Sequence, residues 1–257
     1  MLAANETIAE YYYWQQVPFV YRNHEKPDSD KMKQLATFIT NFGYSVKVSG
    51  DEVHPKELQK LLNNIEGTPE EAMISRVTLR SMKRAEYTPE CLGHFGLAAK
   101  YYTHFTSPIR RYPDLQIHRI IKECLNGKMT PKHVEHFKSI LPQITKDCSL
   151  YERRADDAER DTDKLKKAEY MRSRIGEEYV GVISGITGFG IYVELPNTVE
   201  GLVHVSTMDD DHYIYIEDSY LLVGEKTKKT YKLGQPVKIR VEAADKISRT
   251  IDFSMVH

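Results

Sequence analysis

The sequence predicts an α+β protein: a largely helical region over residues 1–174, then a small five-stranded β-barrel over residues 175–257. Three observations carry this expectation. Apolar residues recur at helical spacing through the first region, and no glycine or proline interrupts Lys146–Arg174. From Ile175-Gly176 onward, β-branched and polar residues alternate between glycines, the texture of short strands.

In Asp30–Gly43, Met32, Leu35, Phe38, Ile39 and Phe42 share one helical face, with Asp30 as the cap and Gly43 as a left-handed stop. His54–Gly67 repeats the pattern: Pro55 at the first helical position, then Leu58, Leu61, Leu62 and Ile65. Further helices are expected at Pro69–Lys83, Pro113–Leu125 and Pro131–Leu141. Lys146–Arg174 alternates charges of both signs, which predicts a separate, long, solvated helix with a thin stripe at Leu150, Ala158, Leu165 and Ala168. The barrel strands are expected around Val180–Ile183, Ile191–Leu195, Leu202–Val205, Val237–Val241 and Ile247–Phe253.

Composition narrows the function classes. The 257 residues carry a formal net charge of −1, which excludes a uniformly basic nucleic-acid coat and leaves only local clusters for such contacts. Cys91, Cys124 and Cys148 lack metal-ligand spacing and read as reduced thiols of a cytoplasmic protein. No apolar run is long enough to span a bilayer, and the first residues lack a signal-peptide pattern, so no membrane partner is expected.

The segment His94–His118, HFGLAAKYYTHFTSPIRRYPDLQIH, concentrates unusual chemistry. Arg110 and Arg111 follow the turn-forming Thr106-Ser107-Pro108 and precede an amphipathic helix, and as sequence neighbours they point in different directions. Guanidinium grips phosphate bidentately, and the hydroxyls of Tyr102, Thr106, Ser107 and Tyr112 could complete the coordination. Two readings stay open on these residues alone. Either the group binds a phosphodiester, or the arginines pair with Asp114 while His94 and His118 are satisfied interior rings.

Over its full length this segment resembles the signature of the RNB family of 3′-to-5′ exoribonucleases, the ribonuclease II/R type. Met1–Glu6, Ile39–Tyr44, Leu79–Lys83 and Ala158–Asp161 extend the resemblance over essentially the whole chain. It implies the C-terminal part of an RNB catalytic domain, and processive hydrolysis of single-stranded RNA to nucleoside 5′-monophosphates. In such enzymes magnesium ions held by aspartates activate water and stabilise charge on the scissile phosphate. Arg110 matches the family's active-site arginine, and Glu159 matches a glutamate near the 3′-terminal nucleotide, where a carboxylate can accept from ribose hydroxyls. The alternative for Glu159 is a solvated ion-pair face beside Arg153, Arg154, Arg160 and Lys164.

One departure qualifies the match. The family's metal-binding aspartates lie N-terminal to the equivalent of Met1, so no residue of this chain is assigned to a metal. Asp156, Asp157, Asp161, Asp163 and the Asp209–Asp211 loop read as solvated surface. The resemblance therefore implies a chain inactive by itself, with the missing N-terminal half as a partner.

Val180–Glu194 followed by Val199–Ser206 resembles an S1-type OB-fold in its glycines, its aromatic pair and its Glu-Gly-Leu-Val-His-x-Ser ending. Phe189, Tyr192 and His204 then form an RNA-stacking face, the alternative being that one aromatic plugs the barrel core. Lys226, Lys228, Lys229 and Lys232 are expected in a loop, as backbone electrostatics or ordinary solvated surface. Three functions compete: an exoribonuclease component, a non-catalytic RNA-binding protein, and a helical interaction scaffold that no specific feature favours.

Overall fold

The computed structural model describes residues 1–49, 52–68, 70–216 and 220–256. In chain order the helices are α1 (Leu2–Trp14), α2 (Ser29–Thr40), α3 (Pro55–Ile65), α4 (Glu71–Ser81), α5 (Tyr112–Leu125) and α6 (Pro131–Arg172). The strands are β1 (Tyr21–Asn23), β2 (Val48–Ser49), β3 (Glu52–Val53), β4 (Glu86–Thr88), β5 (Glu178–Thr187), β6 (Gly190–Glu194) and β7 (Glu200–His204). β8 (Tyr213–Ile216), β9 (Leu221–Gly224), β10 (Thr230–Lys232), β11 (Pro236–Asp245) and β12 (Thr250–Met255) complete the list. The chain divides into two compact units, one of residues 1–32, 46–60 and 80–156, the other of residues 33–45, 61–79 and 157–257.

In the first unit the core gathers Ala9 and Tyr12 of α1, Phe19–Tyr21, Tyr87, Ile117 and Ile120 of α5, and Phe137 and Leu141 of α6. Tyr12 stacks on Phe19 with ring centroids 5.0 Å apart. β1 and β4 pair antiparallel, Arg22 opposite Tyr87. This small ribbon is bolted to α6 by polar contacts. Ser149 Oγ accepts the Tyr87 amide at 2.9 Å, and Arg22 donates to both Glu152 carboxylate oxygens at 2.6 and 3.1 Å. Such a fork-to-fork pair adds geometric specificity as well as energy.

Several local expectations need correction. The start of α2 is capped by Asp28, whose Oδ1 accepts the Asp30 amide at 2.9 Å; Asp30 instead sits in the first turn. Gly43 and Gly67 do take left-handed φ values of 81° and 76° after their helices. Pro69, the expected start of α4, lies outside the described residues. The two expected helices on either side of Pro142 are a single helix of 42 residues. Proline removes one hydrogen bond and disfavours the helical conformation before it, yet the four-residue gap holds no glycine to end the helix. Thr145 Oγ1 donates to the Leu141 and Pro142 carbonyls at 2.9 and 3.1 Å, in the turn that follows the proline. Nor is there a stripe through Leu150 and Ala158, which are exposed. Leu141, Thr145 and Ser149 are buried instead, and Ala168 and Met171 near the helix end.

In the second unit five strands close a barrel in the order β11-β12-β7-β6-β5. The parallel pairing of β12 with β7 completes the closure. Alternation sends Ile183, Ile191, Val193, Val203, Val237, Ile239, Val241, Ile251 and Phe253 inward, all buried. Val180 and Val182 face outward, and Ile247 is exposed in the turn before β12, which starts later than expected. The expected loop between β7 and β11 contains an antiparallel sheet, β8-β9-β10. Its turn is organised by Asp211, whose Oδ2 accepts the Thr227 amide and hydroxyl, each at 2.6 Å. These hydrogen bonds hold the Asp211 carboxyl well below the ordinary carboxylate range.

Gly201 is inward-facing on β7, and a Cβ there would lie 2.5 Å from the Phe253 ring. Gly201→Ala should therefore destabilise the chain by about 1–3 kcal/mol through overpacking. A urea melt followed by circular dichroism checks this, with Gly43→Ala as the comparison for a purely conformational effect.

Candidate functional site

The segment His94–His118 belongs to the first unit. It opens on a short 3₁₀ turn, Phe95–Leu97, whose Leu97 amide donates to His94 Nδ1 at 3.3 Å. His24 Nδ1 accepts the Gly96 amide at 3.1 Å. The rings of His24 and His94, His94 and Tyr102, and Tyr102 and His104 follow one another at 5.1, 5.1 and 5.8 Å. The Tyr87 hydroxyl is 2.8 Å from His104 Nδ1, and the Arg22 guanidinium lies over the Tyr87 ring, its Cζ 4.5 Å from the ring centroid.

Burial, aided by the neighbouring His24, pulls His94 down to about 4. Burial, then the guanidinium groups of Arg111 and Arg22, pulls His104 down to about 3. These rings are neutral packing and hydrogen-bonding groups at neutral pH. Tyr102 belongs with them. It is buried, and its hydroxyl accepts from Asn5 Nδ2 at 3.2 Å, so its ring supports the segment from inside and is no surface ligand. His118 is the satisfied histidine of the blander reading: its Nε2 pairs with the Phe105 carbonyl at 3.0 Å and its ring stacks on Phe105 at 4.4 Å.

The turn Thr106–Arg111 is built around a single carboxylate. Asp114, in the first turn of α5, is fully buried. Its Oδ1 accepts the Ser107 amide at 2.8 Å and Arg111 Nη2 at 2.8 Å. The Ser107 carbonyl in turn accepts the amides of Arg110 and Arg111 at 3.3 and 3.1 Å. Of the two readings of the arginine pair, the ionic contact with Asp114 holds for Arg111. Arg111 is turned inward onto Asp114, whereas Arg110 is exposed beside Ile109 and has no carboxylate partner among the described residues. Thr106 and Ser107 are half-buried on the same turn. The turn leads into the amino end of α5, where the helix dipole favours an anion.

Glu159 lies in the second unit on an exposed stretch of α6. Around it Arg160 pairs with Asp157, and Arg249 with Asp161 at 2.6 Å. On the barrel, Phe189 is 47 % exposed and Tyr192 half-buried, their rings edge to face at 6.2 Å. Neither plugs the core. His204 is exposed on the neighbouring strand opposite Gly190, its Nδ1 2.7 Å from Ser206 Oγ. Of the lysines, Lys229 pairs with Asp210 at 3.0 Å and Lys232 ends β10, so these side chains belong to the small sheet and its turn. Among the described residues no three His, Cys, Asp or Glu side chains are grouped to hold a metal ion.

What the sequence concealed is the support of the turn. Asn5, His24 and Tyr87 reach the segment from sequence distances no local pattern spans, whereas Asp114 was visible beside the arginines only as a possible partner.

Two family models match the chain: the RNB domain over residues 1–127 and the S1 RNA binding domain over residues 172–256. The chain is 46% identical over 253 residues to ribonuclease R 1 of Lactococcus lactis, covering 98% of this chain and 31% of that protein. It is also 46% identical over 259 residues to ribonuclease R of Thermotoga maritima, covering 100% and 36%. Among solved structures, Mycoplasma genitalium RNase R in complex with ribose methylated single-stranded RNA superposes with a TM-score of 0.93 at 28% identity. That match covers all of this chain and 40% of the other. The chain belongs to the RNB family, with a C-terminal portion of the RNB domain followed by an S1-type OB-fold. It spans about a third of the length of the curated relatives it matches.

The histidine cluster makes stability depend on pH. Histidines of the unfolded chain protonate near 6.5, whereas folded His94 and His104 resist protonation until about 4 and 3. Their contribution is thus fully present above pH 6.5 and is lost as pH falls from there toward 4 and 3. The melting temperature should drop between pH 7 and 5, and less steeply in His104→Asn than in the parent chain.

Proposed function

We propose that the chain is the C-terminal portion of a processive 3′-to-5′ exoribonuclease that hydrolyses single-stranded RNA to nucleoside 5′-monophosphates. The observation that carries this reading is Arg110: an exposed guanidinium without a carboxylate partner among the described residues, on a turn pinned by Asp114. A guanidinium so presented can grip the scissile phosphate and compensate charge that develops as the bond breaks. Thr106 and Ser107 supply hydroxyls on the same turn, Arg111 acts by holding it, and Glu159 accepts from ribose hydroxyls of the 3′-terminal nucleotide. Phe189, Tyr192 and His204 bind upstream bases by stacking without selecting their sequence.

Magnesium belongs to the same reading as the source of activated water. The described residues offer no grouped ligands for it, so no step is assigned to it, and the ligands would come from an N-terminal part of the enzyme. That part is the proposed protein partner. The chain without it would work as an RNA-binding body, a second reading that the S1 RNA binding domain match supports. The proposed domain boundary follows residue 174, giving 1–174 and 175–257; the S1 match from residue 172 supports it. Three free cysteines support a cytoplasmic location.

Incubated with magnesium and end-labelled single-stranded RNA, the purified chain should release no appreciable mononucleotide; robust digestion would refute the dependence on an N-terminal part. The chain should nevertheless bind that RNA. Arg110→Ala should weaken binding and lower the slope of log K against log salt by about 1, as expected when one phosphate contact is lost. Phe189→Ala with Tyr192→Ala should cost about 1–3 kcal/mol per stacked base, read by fluorescence anisotropy. Unchanged affinity in both variants would sink the RNA-contact assignments.

A further inference from the structure

The outward face of β6 and β7 has two chemically different ends. One presents Tyr192, Leu202 and His204 beside Phe189. At the other, Glu194 and Glu200 stand directly opposite each other in the antiparallel register. Like charges so opposed repel. From Tyr192 to Glu194 along the strand is about 7 Å, within the ~8 Å screening length at physiological ionic strength. Two uncompensated carboxylates there would repel the phosphates of any strand stacked on Tyr192.

Arg76 of α4, in the same unit, answers this pair. Its Nη2 is paired with the Glu194 carboxylate, and its Nη1 lies 3.7 Å from Glu200 Oε1. Nη1 also donates to the Ser184 carbonyl at 3.2 Å. That carbonyl is available because β5 is bulged between Ile183 and Gly185, which takes Ser184 out of the ladder with β6. The Ser184 hydroxyl donates to Glu200. Three residues before Arg76, Met73 Sδ lies 3.7 Å from where a Cβ on Gly234 would stand, just ahead of β11. One planar guanidinium thus engages β5, β6 and β7 together, a geometry that the point charge of lysine would not reproduce.

We infer that Arg76 is a positioning residue for RNA binding by the barrel: it compensates the Glu194–Glu200 pair, so that phosphate can pass beside the stacking aromatics. Both terminal nitrogens are engaged, so the arginine acts through the carboxylates. The inference rests on the reading of Phe189, Tyr192 and His204 as an RNA-stacking face.

The test measures binding of a 5′-labelled oligouridylate to the full chain by anisotropy, with near-ultraviolet circular dichroism as the check on folding. Arg76→Ala should weaken binding by roughly tenfold. Adding Glu194→Gln and Glu200→Gln to it should restore affinity to within about threefold of the parent, because the repulsion is then gone. A role in docking α4 alone would not be rescued this way. Should Arg76→Ala fail to fold, Arg76→Gln replaces it, keeping a donor for Ser184 while removing the charge. Parent-like binding by the folded single variant, or a triple variant as weak as the single, overturns the inference. If Phe189→Ala with Tyr192→Ala leaves binding unchanged, the stacking-face reading falls and takes this one with it. If that pair weakens binding while Arg76→Ala does not, only the role of Arg76 is lost.

Discussion

The geometry of the arginine turn depends on the carboxylate of Asp114, buried beneath the start of α5. A buried carboxylate is costly to desolvate unless charge and hydrogen bonds compensate it, and here one oxygen collects both a backbone amide and a guanidinium. Because that amide belongs to Ser107, the carboxylate fixes the turn. Because the guanidinium belongs to Arg111, the next-door Arg110 is left facing solvent. Two adjacent, chemically identical residues acquire opposite environments from one ionic contact: Arg111 neutralises the interior charge, and Arg110 stays exposed.

Behind that turn lies a layer of rings that shape the segment without carrying charge. His94 and His104 are kept neutral chiefly by burial, so they pack against Tyr102 and Tyr87 as polar aromatics. Asn5 contributes twice, donating to the Tyr102 hydroxyl and accepting the Phe105 amide at 3.1 Å. The segment therefore owes its conformation to α1, β1 and β4 as much as to its own residues. The barrel solves a different problem. Its interior is filled by aliphatic side chains and Phe253, with glycine where Phe253 leaves no room. Phe189 and Tyr192 are excess to the core and remain at the surface.

The legible parts of this molecule are those that local chemistry decides. The helical stops at Gly43 and Gly67, the amphipathic faces of α2 and α3, and the inward alternation of the barrel strands follow from spacing and backbone freedom. Less legible was whatever depended on a competition between neighbours. Pro142 reads as a break, but it removes only one amide donor, and no glycine stands beside it to end the helix, so α6 continues. Leu150 and Ala158 read as a packing stripe, but burial follows Leu141, Thr145 and Ser149, where β1 and β4 supply the partner surface. The strands β8–β10 were missed because their short apolar runs sit among aspartates and lysines that read as loop.

By itself the sequence determined the α+β class, the barrel, the family and the residues of the arginine turn, since all of these are written in residue type and short-range spacing. The tertiary structure alone decided which arginine is exposed, that Tyr102 is interior, and that Phe189 and Tyr192 are not core. It also decided that Arg76 meets a pair of opposed glutamates. Each of these depends on which groups from distant positions compete for the same burial or the same charge. That competition is settled only once the chain has folded.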